Sequence, residues 1–456
     1  MSPTDAPSMT SSPSTMAPRA SRREILGWAM FDFANQAYTL LIITVVFGEL
    51  FTTVIVGDRG DNFRLANLLW SFALAVSFLL VVLTGPLCGA VMDYRAEKKR
   101  FLFISYLATV ATSAMLYFVE PGYVVLGLIL IIISNYTYSM GESFIAAFLP
   151  ELGPPEKLGS ISGFGWALGY IGGMVAAGFT LLVLGETTVE NFERIRWVGP
   201  FAAGFFLVAA IPTFLWLKER GQPHPVPASF GQIAWRRVSG TLHDLRRFRD
   251  LGLFLISVMF SMAGVYIIIT FAFIYGAQVV EWDSTTRNLM FVIVQITAAI
   301  GALGFGVIQD RIGTRVTYLL TLVMWVLAVL AIWATPELTT WLNDTLGLNW
   351  HAQDLFLYVG CLAGLSLGSS QSASRVLVGL FSPQQKSAEF FGFWGLANKI
   401  AGVVGIIGIG LLQSVVGLQA SVLLCAAFFI IAILICLGVN QQRGQQAARD
   451  WEQAEH

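Results

Sequence analysis

The sequence predicts an all-α membrane protein of twelve transmembrane helices, built as two pseudo-symmetric six-helix bundles. Three observations predict it. The 456-residue chain is 56% hydrophobic and only 12% charged, too little polar surface to coat a water-soluble fold of that length. Apolar stretches of about 20 residues, the length that crosses a bilayer core about 30 Å thick, centre near Tyr38, Ser77, Ala108, Ile131, Ile171, Phe206, Val265, Ile296, Trp325, Leu365, Val404 and Phe429. Two loops in equivalent places, between spans two and three and between spans eight and nine, carry one pattern, which points to a duplicated bundle.

The expected organisation follows in chain order. Residues 1–18 are rich in Ser, Thr and Pro without an apolar core, so they read as a disordered tail and not as a secretory signal. Residues 19–217 form the first bundle. Residues 218–250 separate the halves, and within them Phe230, Ile233, Ala234, Val238, Leu242, Leu245 and Phe248 recur at helical spacing opposite a basic face that includes the run from Arg246. Such a segment suits an amphipathic helix on anionic lipid; a plain linker is the alternative. Residues 251–438 form the second bundle and 439–456 a second tail. Trp341 and Trp350, in the polar loop from Pro336 to Gln353, suit a membrane interface. About twenty Lys and Arg fall on the side of both termini against about five on the other, which predicts cytoplasmic termini in a cell membrane.

The repeated loops read GAVMDYRAEKKR from Gly89 and GVIQDRIGTR from Gly306. Each has Gly followed four residues later by Asp, then a tight turn and basic residues. The second loop resembles the signature of the major facilitator superfamily, and the first is its degenerate copy. That resemblance implies two parallel six-helix repeats around a midplane cavity with alternating access. It also implies gating roles for Gly89, Asp93, Arg95, Gly306, Asp310, Arg311, Gly313 and Arg315, with each Asp approaching a helix N-terminus of the opposite half. A finer resemblance lies in FDFANQAY near Asp32, SGFGWALGYIGG from Ser162 and the stretch from Gly364 to Ile400. These are similar to the vacuole-effluxer family, which includes the fungal autophagy-related vacuolar amino-acid exporter. The chain departs from that family at Ile145 and Ala146 and at Ala263 and Gly264.

Polar residues inside apolar spans are the candidate site, because a charge at bilayer depth is costly and must be hidden or used. Asp32, Asn35, Gln36 and Thr39 recur at i, i+3, i+4 and i+7, as do Asn135, Tyr138, Ser139 and Glu142, so each set lines one helix face. Span ten offers Gln371, Ser374 and Arg375, and span eleven Asn398 and Lys399, with Lys399 near mid-depth. The resemblance puts spans one, four, seven and ten on the cavity; span seven offers only hydroxyls, at Ser257, Ser261, Tyr266 and Thr270. Lys399 and Arg375 suit an anionic group. Asp32 or Glu142, desolvated, could carry a coupling proton. The alternative is a structural ion pair, Asp32 with Arg375, that locks one conformation. A small-residue ridge of Gly165, Gly169, Gly173 and Ala177, with Gly301, Gly304, Gly402 and Gly405, suits sliding between halves or static packing.

The expected function is a secondary transporter of small solutes, amino acids or related metabolites, exporting them with a coupling proton. The expected partners are that solute, the proton and membrane lipid, with a monomer as the working unit. No nucleotide-binding loop is present, against ATP-driven transport by this chain. The four histidines lie in loops or the tail, against a membrane enzyme. A non-transporting sensor or a lipid scramblase on a transporter scaffold is the competing reading. No metal site or cofactor is expected, and Cys88, Cys361, Cys425 and Cys436 lack metal-ligand spacing. The near-zero net charge leaves nothing to suggest nucleic acid.

Overall fold

A computed structural model describes residues 20–57, 64–184, 188–224, 229–243 and 247–455. The tail 1–18, with Leu245 and Arg246 of the linker, lies outside the described residues. Among the described residues, eleven helices are long and apolar enough to cross a membrane: α1 (Arg22–Val56), α2 (Leu65–Arg95), α3 (Lys98–Phe118), α4 (Val124–Leu152), α5 (Pro155–Leu184), α6 (Phe192–Trp216), α7 (Arg249–Val280), α8 (Thr285–Ile312), α9 (Thr314–Trp333), α11 (Gln384–Gln413) and α12 (Leu418–Leu437). Another 30-residue helix, α10 (Ala352–Phe381), packs among them. Its many serines lower its hydropathy, and their hydroxyls bond back to the same helix, as Ser366 does to Leu362 O at 2.8 Å and Ser369 to Leu365 O at 2.7 Å. A helix clothed by protein needs no lipid-compatible surface.

Local chemistry starts these helices. The Ser21 hydroxyl accepts the Glu24 N–H of α1 at 3.2 Å, and Asp283 accepts the Thr286 N–H of α8 at 2.7 Å, so both ends satisfy an orphan donor. The α8–α9 turn passes through Gly313 at φ 93°, a conformation open to glycine and costly for other residues; this is what the glycine of the second loop is for. In α1 the winding loosens to π geometry over Tyr38–Val45, with Val46 N–H reaching Leu41 O at 3.2 Å.

Helix packing repeats with an offset of six. In the first half α1 packs on α5 and α6, α2 on α4, and α3 on α4 and α6; in the second α7 packs on α11 and α12, α8 on α10, and α9 on α10 and α12. Between halves, α2 meets α11 as α8 meets α5, and α4 meets α11 as α10 meets α5. A pseudo-two-fold axis therefore runs along the seam, as duplicated transporters require. Outer faces carry Leu83, Leu215, Leu411 and Leu434 largely exposed, the surface a lipid-embedded bundle presents.

Two further helices sit at the end that bears the repeated loops. Phe230–His243 lies against α2, with Ile233 buried among Leu87, Val91, Tyr94 and Phe101 while Phe230 and Trp235 stay exposed. Phe248, expected on the same apolar face, is buried instead against Phe390 of α11. Gln441–Glu455 packs on α10 and α7, held by Arg443 on Asp250 at 2.7 Å and by Trp451 under the Lys386 ammonium at 5.1 Å.

Candidate functional site

The repeated loops close one end of the seam. The two carboxylate oxygens of Asp93 accept the N–H groups of Ala388 and Glu389 in the first turn of α11, at 3.1 and 2.9 Å. Those of Asp310 accept the N–H groups of Gly159 and Ser160 in the first turn of α5, both at 2.9 Å, and the Ser160 hydroxyl. Each Asp thus completes the N-terminus of a helix in the opposite half, where free N–H groups and the helix dipole favour an anion. Close backbone approach makes this possible: a Cβ at Gly89 would collide with the Ala388 carbonyl, and one at Gly163 with that of Ala302 beside Gly306. Lys98, 2% exposed, bridges the first latch, with its ammonium 2.7 Å from Glu151, 3.6 Å from Asp93 and 2.5 Å from the Ser387 hydroxyl. Arg95 and Arg311 are exposed at this end. Arg315 turns back to the Cys436 and Leu437 carbonyls at the end of α12, at 3.3 and 2.9 Å, so it caps a helix of its own half.

Deeper in the seam, Asp32 of α1 pairs with Arg375 of α10 at 2.7 Å. Arg375 also donates to Ser162 Oγ at 3.1 Å and Ser162 O at 2.9 Å, and its guanidinium lies over Trp28 at 4.5 Å and Trp166 at 5.2 Å. Every nitrogen of the fork is engaged, so in this conformation Arg375 is a lock between halves and not an open anion receptor. A desolvated pair of this kind is held in place by how much its rupture would cost.

At mid-depth the halves meet twice more. Lys399 of α11 lies 3.6 Å from Glu142 of α4, and Tyr170 of α5 donates to Gln371 of α10 at 2.7 Å. The Tyr138 hydroxyl donates to Glu142 at 2.8 Å and accepts from Thr39 at 2.5 Å; the Lys399 ammonium faces the Phe78 ring at 5.1 Å. Glu142 keeps 31% of its side chain exposed and Lys399 9%. These two crossings are one contact made twice. Pro154, Lys157, Gly163 and Phe164 recur without a gap as Pro383, Lys386, Gly392 and Phe393. In that register Glu142 matches Gln371, Tyr170 matches Lys399, and the latch donors Gly159 and Ser160 match Ala388 and Glu389. The ungapped P-x-x-K repeat was the signal that finds Tyr170, which stripe counting misses.

The other expected stripe members scatter. Asn135 turns from the seam and donates to Ser77 of α2 at 2.5 Å; Asn398 bonds to Trp394 O of its own helix at 2.8 Å. Asn35 is buried and Gln36 half-buried beside Gly169. The glycine ridge also divides differently. Gly169 faces α1, Gly301 faces α10 and Gly405 faces α7, each within its own half, while Gly165 and Gly173 lie against α1 and also stand beside Arg375 and Gln295 of the opposite half; the tightest approaches across the seam include Gly89, Gly159 and Gly163.

Comparison with known proteins accords with this geometry. The family described as "Vacuole effluxer Atg22 like" matches residues 67–449. The "Uncharacterized MFS-type transporter YxiO" of Bacillus subtilis is 26% identical over 422 residues, covering 90% of this chain and 92% of that protein. "Autophagy-related protein 22" of Kluyveromyces lactis is 22% identical, covering 96% and 97%. A "Putative proline/betaine transporter" of Staphylococcus aureus is 26% identical over 64% of this chain and 61% of its own length. Among solved structures, the proton:xylose symporter XylE bound to 6-bromo-6-deoxy-D-glucose superposes with a TM-score of 0.67 at 14% identity, covering 90% and 94%. FucP in the outward conformation gives 0.67 at 12%, covering 91% and 98%. These likenesses identify the major facilitator fold.

Proposed function

We propose that this chain, which belongs to the vacuole effluxer Atg22-like family, exports amino acids or related zwitterionic solutes by alternating access coupled to protons. It is a multi-pass membrane transporter and not an enzyme; the solute, direction and coupling are the parts proposed. The observation that carries the reading is the Glu142–Lys399 pair, opposite charges on opposite halves at mid-depth. A zwitterion can replace each charge for the other, its carboxylate on Lys399 and its ammonium on Glu142, as the halves part. Glu142, once the solute has left and before Lys399 returns, is then the group that takes up the coupling proton, while the Asp32–Arg375 pair holds the halves together until the latch end opens. The basic residues Lys98, Lys99, Arg100, Arg311 and Arg315 beside the latches support a cytoplasmic position for that end. The printed name of the Staphylococcus relative, a putative carrier of proline and betaine, supports the solute class.

Proteoliposomes containing the full chain test this. A pH gradient is expected to drive flux of a labelled amino acid, and Lys399→Ala to lower that flux at least about tenfold, the scale of a lost charge-assisted contact. Glu142→Gln, which keeps a hydrogen-bond acceptor for the ammonium but no charge, is expected to slow solute exchange and to abolish its response to the pH gradient. Lipid redistribution without solute flux would replace this reading with a scramblase.

A further inference from the structure

Both mid-depth crossings join opposite halves, so a rocking motion that opens the seam must part both of them. They differ in chemistry: a carboxylate with an ammonium on one side of the axis, a phenol with a carboxamide on the other. Parting either one in a protein-lined cleft leaves polar groups short of partners, a state penalised well beyond the net worth of the bond itself. The bound solute is the nearest source of replacement partners. A zwitterionic head satisfies Glu142 and Lys399 and has nothing left for Tyr170 and Gln371.

The neutral crossing is also extended by further amides. A Cβ at Gly173 would stand 3.5 Å from Gln295 Nε2 and 3.8 Å from Gln36 Cβ, and one at Gly169 would stand 3.6 Å from Gln36 Nε2. Gln36, Gln295 and Gln371 are each half-buried and come from α1, α8 and α10; Gln371 bonds to Tyr170, and the other two lie beside Gly169 and Gly173, its neighbours on α5. The pseudo-two-fold therefore sets a patch of neutral donors and acceptors on the other side of the axis from the charged pair.

We propose that Tyr170, Gln371, Gln36 and Gln295 form a side-chain subsite that selects zwitterions bearing a neutral hydrogen-bonding group, a carboxamide or hydroxyl, over aliphatic ones. This rests on the transport reading given above. The selection acts on turnover more than on binding, because the subsite's bonds are missed only when the halves separate. Removing both partners together leaves no unsatisfied group, so an apolar replacement of the pair relaxes the selection without blocking passage.

The test measures initial counterflow of L-glutamine and L-leucine by the full chain in liposomes of phosphatidylethanolamine and phosphatidylglycerol. Wild type is expected to turn over glutamine roughly tenfold faster than leucine, the scale of one neutral bond left unmade. Tyr170→Phe/Gln371→Leu is expected to bring the ratio near one by raising the leucine rate. Tyr170→Phe alone, which removes a single hydroxyl, is expected to move the ratio in the same direction. Equal wild-type rates for the two solutes, or a ratio unchanged in the variants, overturns the subsite while leaving transport in place. If wild type moves neither solute, the transport reading fails and the subsite falls with it.

Discussion

At the scale of single residues, what decides a charge's role is what faces it. Arg375 and Lys399 look equivalent in sequence, two cations in polar stretches of neighbouring helices, yet Arg375 is consumed by Asp32, Ser162 and two indole rings while Lys399 faces one partly exposed carboxylate. Arg375→Ala leaves Asp32 buried without its partner, a loss of about 3–5 kcal/mol for a desolvated pair, so the melting temperature of the purified protein should drop; an unchanged melting curve contradicts the lock. A second residue-scale prediction concerns pH. Burial raises the Glu219 carboxyl above its ordinary value of 4.5, with Glu151 and Asp93 adding to the rise against the Lys99 N–H and Lys98. A carboxyl raised on folding contributes stability at pH below its ordinary value and loses that contribution as pH climbs through the raised one. Glu219→Gln, which keeps an acceptor for the Lys99 N–H at 2.7 Å, should therefore flatten the fall of melting temperature from about pH 4.5 upward; a parallel pH profile in the variant contradicts it. The stripes of Asp32 and Glu142 were legible from spacing alone. The Asp32–Arg375 pair was already one of the two readings the sequence offered, whereas the Glu142–Lys399 pair was not, because those residues lie more than two hundred positions apart and meet only through helix packing across the seam.

At the scale of elements, the helix ends do the closing. Asp93 and Asp310 each meet two backbone N–H groups in the other half, and a lost cap of that sort costs about 0.5–2 kcal/mol. Asp93→Ala and Asp310→Ala should each make the latch end more accessible to a soluble thiol reagent directed at an added Gly153→Cys, by similar factors because the two contacts are copies. A large effect from one Asp and none from the other would argue against the duplication as the working unit. The repeated Gly-x-x-x-Asp loops made these latches readable in sequence. Arg315 was not readable, because the same pattern is satisfied whether the arginine crosses the seam or caps α12, and only packing distinguishes them. Serine content lowers the hydropathy of α10 without hiding its span around Leu365, and its serine hydroxyls close on their own helix.

At the scale of the whole molecule, the duplication gives two pseudo-equivalent lobes whose crossings differ in chemistry, charged on one side of the axis and neutral on the other. Latches, lock and crossings form a ladder from the loop end to mid-depth, so the described conformation is closed at that end. Alternation then means releasing this ladder as a unit. The direct measurement is the distance between spin labels at Glu156→Cys and Arg311→Cys, which flank the Asp310 latch from opposite halves, in full-length protein with its four native cysteines replaced. A short distance should dominate at rest, and a longer one should grow in when transported solute is added or Arg375→Ala is introduced. A single distance that neither solute nor Arg375→Ala moves would contradict a rocking carrier gated at this seam.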